Sequence, residues 1–311
     1  MKIGIIGGIN IDIEGAPFEK LKYHDSNPGK IRLSYGGVGR NIAENLARLG
    51  GDCAMISVVG DEPMSRGAVS YLEDIGVDVS HVRVMPGETP SMYLSILDDQ
   101  GDMEIALNDM DIIKTITSEY IDSIKGYLEK AQVVALDGNL TEELLDHATN
   151  VLRGTKLFYD PVSASKGVRV KNFVGRFFAV KPNRIEAEAI LDMKIETEED
   201  VRAAGRRFLE LGVSQVYITL GEDGVYFAEQ GDEGFLRPGD DMTIRSATGA
   251  GDSFSACILL GISMGMRAET IARMGMAAAK ITMESTNAVN EELSMELIKK
   301  LMNKEIENEL S

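Results

Sequence analysis

Residues 2–8, Lys2-Ile3-Gly4-Ile5-Ile6-Gly7-Gly8, carry apolar side chains without alternation, the pattern of a strand covered on both faces. The chain then alternates through Ile9-Asn10-Ile11-Asp12-Ile13, which sets Asn10 and Asp12 on one side. Polar residues leaving the carboxyl end of a first strand commonly face the ligand crevice of an open α/β sheet. A turn with locally satisfied polar groups is the other reading. His24 to Lys30 has turn composition, and Ile31-Arg32-Leu33-Ser34-Tyr35 alternates again. Gly36-Gly37-Val38-Gly39-Arg40-Asn41 opens a helix whose buried stripe is Ile42, Leu46 and Leu49 and which stops at Gly50-Gly51. On that helix Arg40, Glu44 and Arg48 are spaced as an ion-pair ladder, expected on the solvated side. Asn41 and Asn45 fall near the apolar side, where an amide needs a backbone or ligand partner.

The strand pattern returns at residues 53–60, and Ser65 to Gly76 reads as a helix with a glycine cap. Between Val82 and Leu107 the character changes to short alternating runs. Ser91–Leu97 and Met103–Leu107, joined by Asp98-Asp99-Gln100-Gly101-Asp102, predict a β-hairpin. From residue 131 onward strands and helices follow in turn. Strands are expected at 132–136, 156–159, 177–180 and 216–220, with 225–228 as a hairpin partner of the last. Helices are expected at 141–152, capped by Thr141, and at 253–265, 268–284 and 291–308. No linker rich in Pro, Ser or Gly divides residues 1–311. The order predicts an α/β fold in one domain, a doubly wound and mostly parallel sheet flanked by helices. Segments near 11–16, 31–35 and 88–107 would add a small antiparallel sheet as a lid, an oligomer contact, or both.

The densest chemistry lies at Ser246-Ala247-Thr248-Gly249-Ala250-Gly251-Asp252-Ser253-Phe254. Asp241-Met242-Thr243-Ile244-Arg245 alternates as a short strand would, and Phe254, Cys257, Ile258 and Ile262 recur at helical spacing. Gly249, Ala250 and Gly251 therefore leave backbone N–H groups open at the positive end of a helix, a setting suited to phosphate. A carboxylate beside an anion site repels the anion unless it has other work. Asp252 is either the base that takes a proton from an attacking hydroxyl or a first-turn partner of the helix dipole, and the residues alone leave both readings open. The polar residues Asp12, Asn139, Asp160, Asn183, Thr219 and Asp252 follow successive strands and would share one sheet edge.

Composition narrows the choice. The net charge of −18, from 50 acidic and 32 basic residues, argues against a nucleic-acid-binding role. No long uncharged apolar run suggests a membrane span, and the amino terminus lacks a signal-peptide pattern, so a cytoplasmic protein is expected. Cys53 and Cys257 lie in apolar surroundings and read as reduced core thiols. His24, His81 and His147 are scattered, with neither zinc spacing nor a Ser-His-Asp triad. The glycine-rich P-loop motif ending in Lys-Ser/Thr is absent. Gly249-Ala250-Gly251 supplies only half of a dinucleotide fingerprint, so a nucleotide-dependent oxidoreductase has weak support. A non-catalytic nucleoside sensor is a further alternative.

Gly36-Gly37-Val38-Gly39-Arg40-Asn41-Ile42-Ala43 with Leu46-Ala47-Arg48-Leu49-Gly50, and Thr248-Gly249-Ala250-Gly251-Asp252-Ser253-Phe254, resemble the two signatures of the ribokinase-like (PfkB) family of sugar and nucleoside kinases. Asn183-Arg184-Ile185-Glu186 is similar to that family's N-x-x-E element, and Thr219-Leu220-Gly221 with Gly224 to its nucleotide loop. The resemblance covers essentially the whole chain. Asp25–Ile31, Asn108-Asp109-Met110, Asp160–Ala164, Lys181–Arg184 and Thr286-Asn287 extend it toward nucleoside-specific members. It implies an ATP-dependent kinase of a nucleoside 5′-hydroxyl, with uridine, adenosine or ribose as alternative acceptors. It implies Asp252 as base and the N–H groups of Gly249, Ala250 and Gly251 around the transferring phosphoryl. Asn10, Asp12, Gly37, Asn41 and Asn139 would hold the ribose, and Ser26, Asn27 and Asn108 the base. Lys181, Asn183, Thr219, Gly221 and Gly224 would hold the nucleotide, and Glu186 a magnesium ion through water. A homodimer through the lid is also implied. Three positions depart from the family. Ser246 and Ala247 stand where members often carry Asp and Thr, which leaves a monovalent cation site open. Val38 replaces the Lys of sugar-specific relatives, and Met276 lies near a usually polar position at the adenine.

Overall fold

The computed structural model describes residues 2–239 and 244–309, the last five without their side chains. The amino-terminal part runs β1 (Ile3–Ile6), β2 (Asn10–Pro17), β3 (Gly29–Gly36), α1 (Val38–Arg48), β4 (Cys53–Gly60), α2 (Pro63–Asp74) and β5 (Asp78–Met85). A hairpin, β6 (Met92–Leu97) and β7 (Met103–Asp109), leads to α3 (Ser118–Leu128), β8 (Val133–Asp137), α4 (Glu142–Val151) and β9 (Lys156–Asp160). Then come α5 (Ala164–Gly167), β10 (Ala179–Val180), α6 (Arg184–Leu191), α7 (Glu198–Leu211) and β11 (Gln215–Thr219). The strands β12 (Val225–Glu229) and β13 (Asp232–Leu236) precede α8 (Ala250–Ser263), α9 (Ala268–Met283) and α10 (Met295–Glu309).

Among the described residues nine strands make the main sheet, in the order β13-β12-β11-β10-β9-β8-β1-β4-β5. All pairs from β5 to β11 are parallel, and the β11–β12 and β12–β13 pairs are antiparallel, so that β12 alone among these strands runs against the rest. The unbroken apolar runs explain this: every residue of β1, β4 and β8 is buried, as strands covered by helices on both faces must be. One face packs on α1, α2, α8, α9 and α10, the other on α3, α4, α6 and α7. Side chains close the helix starts. Thr141 accepts the Leu144 N–H, and Thr197 forms a capping box with Asp200. No helix among the described residues is long and apolar enough to cross a membrane.

The small sheet has the order β3-β2-β6-β7. It is mixed rather than antiparallel, because β2 pairs parallel with β6 while β2–β3 and β6–β7 are antiparallel. Its rows alternate faces. Asp12, Ser34, Tyr93 and Asn108 share one row. Ile13, Leu33, Leu94 and Leu107 share the next, on the opposite face. Asn10 and Asp12 thus belong to a lid strand rather than to a turn.

Several elements lie outside the sequence expectation. β5 joins the edge of the main sheet, and α3, α7 and β13 are additional. Of the strand expected at 241–245, residues 241–243 lie outside the described residues, and 244–245 are irregular. The Arg40-Glu44-Arg48 ladder is not a solvated face. Arg40 and Glu44 are 5% and 2% exposed, because Tyr35 of β3 and Tyr71 of α2 close over that side of α1.

Candidate active site

The site begins with a buried carboxylate that no sequence motif marks. Asp137, the last residue of β8, accepts the N–H groups of Gly8 (2.9 Å) and Gly39 (3.2 Å) through Oδ2 and of Asn139 (2.9 Å) through Oδ1. Burial raises its pKa, and these backbone bonds oppose the shift. One side chain therefore ties the end of β1, the first turn of α1 and the loop carrying Asn139. The approach requires glycine. A Cβ on Gly7 would lie 2.2 Å from Asp137 Oδ2, and one on Gly37, whose φ is +95°, would lie 2.5 Å from the Gly8 carbonyl oxygen.

Asp252 stands in the first turn of α8, behind Gly249 at φ +83°. A Cβ on Gly249 would fall 1.7 Å from the Ala288 carbonyl oxygen. The Gly251 N–H has no protein acceptor among the described residues, and that of Ala250 makes one long bond to Ala247 O (3.4 Å). Asn41 Nδ2 donates to Asp252 Oδ2 at 2.8 Å. Asp252 keeps part of its surface open to the cleft, yet the surrounding protein removes enough water to push its pKa up to about 7. Burial is the main cause, with Asp160 and Asp137 adding to it, while Asn41 and Lys181 oppose it. A helix N-terminus alone would lower that pKa, so burial outweighs the dipole here.

Lys181 follows β10 and is 5% exposed, with Nζ 3.2 Å from Asp160 Oδ2. Burial pulls its pKa down, but Asp160, Glu186 and Asp252 together hold it above the ordinary lysine value. Asp160 also accepts the Ser255 hydroxyl (2.7 Å), which joins β9 to α8. Asn183 and Glu186 form a reciprocal capping box on α6, Asn183 Oδ1 accepting the Glu186 N–H and Glu186 Oε2 the Asn183 N–H, both at 2.8 Å. The N-x-x-E element is thus a helix start whose glutamate is buried, its pKa raised by burial and lowered by Lys181. Among the described residues, no group of three or more His, Cys, Asp or Glu could hold a metal unaided. Thr219 bridges to Asn183, while Gly221 and Gly224, at φ +65° and +92°, flank a single 3₁₀ turn.

On the lid side, Asp12 is half-buried and packs on Gly36, where a Cβ would stand 1.9 Å from its Oδ2. Its Oδ1 is buried without a hydrogen-bond partner among the described residues. Burial pushes the carboxyl up to about 6, against the opposing charge of Arg40. Asn10 Oδ1 and Asn139 Nδ2 flank Gly8, where an added Cβ would lie 3.3 and 3.8 Å from them. Beyond Asn139 opens a cavity of about 510 Å³ bordered by Asn108, Asp109, Ile113, Lys166 and Arg169. Lys166 Nζ donates to Asn139 Oδ1 at 2.6 Å, and burial lowers its pKa. Neither Lys166 nor Arg169 was a sequence candidate; each follows Asp160-Pro161 in short helical turns without a periodic signal. Ser26 and Asn27 do not border this cavity. They lie in the turn before β3, Ser26 exposed and Asn27 half-buried, where the Asn27 amide bonds Lys22 and Asp25.

A helix start entered through glycine suits a phosphoryl group, and a carboxyl near neutrality suits a hydroxyl proton; the two together define a phosphotransferase with an alcohol acceptor. The chain belongs to the pfkB family of carbohydrate kinases, whose model matches residues 2–294. It is 40% identical over 257 residues to pseudouridine kinase of Escherichia coli, covering 81% of this chain and 80% of that one. It is 28% identical over 288 residues to guanosine-inosine kinase of Exiguobacterium acetylicum, covering 92% and 95%. Among solved structures, a sugar kinase from Clostridium perfringens described as putative superposes with a TM-score of 0.88 at 30% identity, over 97% and 96% of the two chains.

Replacing Asp137 by Ala should strand three buried N–H groups at roughly 1–3 kcal/mol each. Urea denaturation should show a loss of about 3 kcal/mol or more, and Asp137→Asn a smaller loss.

Proposed function

We propose that the chain is an ATP-dependent nucleoside 5′-kinase whose acceptor is pseudouridine. The observation that carries the nucleoside reading is the pairing of two features on one side of the cleft. One is the unpartnered Asp12 Oδ1, a buried acceptor that ribose hydroxyls would satisfy. The other is the adjoining cavity of about 510 Å³, room for a base beyond the sugar. The 40% identical pseudouridine kinase supports the choice of base, with guanosine, inosine, uridine, adenosine or ribose as the acceptors to exclude.

In this reading Asn10, Gly37, Asn41 and Asn139 complete the ribose site around Asp12, and Asn108 of the lid faces the base, while Ser26 and Asn27, expected beside it from the sequence, lie away from the cavity and are not assigned to it. Asp252 takes the 5′-hydroxyl proton as that oxygen attacks the terminal phosphorus of ATP and the bond to ADP breaks. The N–H groups of Gly249, Ala250 and Gly251 offset charge gathering on the transferred group. Lys181, Asn183, Thr219, Gly221 and Gly224 line the nucleotide. The hard oxygen donors beside Lys181 suit magnesium, which would be held by Glu186 through water and by the phosphates rather than by a protein cage. The ion supplies charge neutralisation of the triphosphate.

Asp252→Asn should lower kcat by about a hundredfold or more while thermal melting stays near wild type. Asp252 must be ionised to act, so kcat/KM for the acceptor should climb with pH through about 7 and fall away below it. Asn41→Ala removes a bond that favours the ionised form and should move that limb to higher pH. The acceptor is tested by kcat/KM across nucleosides and ribose, and a preference for ribose over pseudouridine would overturn the assignment.

The homodimer belongs to the same proposal. Ile31, Leu33, Ile105 and Leu107, all more than half exposed, cover the lid face turned away from Asp12. Leu33→Glu with Leu107→Glu should convert a dimer to a monomer in analytical ultracentrifugation.

A further inference from the structure

Arg40 is a buried arginine in the first turn of α1, and its guanidinium reaches groups on α1, β3 and α2. Nη2 pairs with Glu44, whose carboxylate is also held by Arg48 (2.7 Å) and the Tyr71 hydroxyl (2.7 Å). Nη1 donates to the Tyr35 carbonyl oxygen at 3.0 Å and to Asn41 Oδ1 at 2.8 Å. The guanidinium also lies over the Tyr71 ring, 5.6 Å from its centroid. These partners engage Nη1 and Nη2, while Nε is buried without a hydrogen-bond partner among the described residues.

The bond to Asn41 has a chemical consequence, because the two ends of an amide are not equivalent. With Oδ1 facing the guanidinium, Nδ2 faces Asp252 Oδ2 and donates to it at 2.8 Å. The flipped amide would set its oxygen against a carboxylate and its NH₂ against a cation, two repulsions in place of two bonds. We propose that Arg40 is a positioning residue for phosphoryl transfer: anchored by Glu44, it selects the Asn41 amide orientation that holds the Asp252 carboxylate toward the acceptor. This rests on Asp252 being the base. Lysine is not an equivalent, since one ammonium cannot span Glu44 and Asn41 as the fork does.

The test is a double-mutant cycle with Arg40→Met and Asn41→Ala, read in kcat, in KM for ATP and for acceptor, and in the pH profile. Glu44 keeps Arg48 and Tyr71 in Arg40→Met, so the helix retains its buried pairing. Arg40→Met should lower kcat about 10- to 100-fold with KM for ATP unchanged, the scale of a misaligned reacting group. In the Asn41→Ala background the same substitution should cost less than about twofold more, the signature of coupled residues. The limb set by Asp252, which faces Asp160, Lys181, Asp137 and Asn41, should move to higher pH in Arg40→Met and no further in the double variant. Should Arg40→Met fail to fold, Arg40→Lys is measured in the same cycle and should show the same coupled loss. Equal losses of kcat in both backgrounds, or an unmoved limb, would overturn the proposal. Asp252→Asn is assayed in parallel. If it abolishes turnover while the cycle shows no coupling, the base stands and Arg40 has no positioning role; if it leaves turnover intact, the base assignment itself falls.

Discussion

The arrangement depends on one buried carboxylate meeting three backbone donors. Asp137 joins the end of β1 to the start of α1 and to the loop after β8. Its oxygens are taken up by N–H groups, which offset part of the cost of burying it, although burial still raises its pKa. The glycines around it follow from that geometry: Gly7 and Gly37 sit where any side chain would strike the carboxylate or the Gly8 carbonyl. From this knot the chain leaves in three useful directions. β2 carries Asn10 and Asp12 into the lid, α1 carries Arg40 and Asn41 toward Asp252, and the β8 loop delivers Asn139 to the cavity.

Charge sets the second constraint. Asp160, Glu186 and Asp252 surround the buried ammonium of Lys181, so carboxylates outnumber the cation among these four groups. Burial raises Asp252 and Glu186, and neither the helix N-terminus nor Lys181 cancels the shift. A carboxyl left near neutrality can accept a proton at physiological pH, which a carboxylate at its ordinary pKa does poorly. The same excess of negative charge would attract a divalent cation, in keeping with the magnesium role proposed above.

The lid works through its two faces. Period-two alternation sends Asp12, Ser34, Tyr93 and Asn108 to one side and Ile13, Leu33, Leu94 and Leu107 to the other. One face can therefore meet a polar substrate while the other remains apolar and open to a second surface. The parallel β2–β6 pair makes this possible, since it brings a strand from the amino terminus beside one more than seventy residues away.

Much of this protein is set by local pattern and is legible in the residues themselves. Apolar runs mark β1, β4 and β8, alternation marks β3, β6 and β7, and Thr141, Asn183 and Gly249 mark helix starts, because caps and periodicity act between near neighbours. The family signatures are equally local, and so is the glycine turn before Asp252. What the residues did not disclose was decided by distant partners. Arg40 and Glu44 have the spacing of a surface ladder, and only Tyr35 and Tyr71 closing over them make the ladder a buried clamp. The direction of the β2–β6 pair and the cavity beside Lys166 likewise depend on which segments meet. So does the near-neutral carboxyl of Asp252. A helix start is written in the sequence, but the burial that raises a carboxyl there, and the Asn41 amide that opposes it from 211 residues away, are brought together only by the tertiary structure.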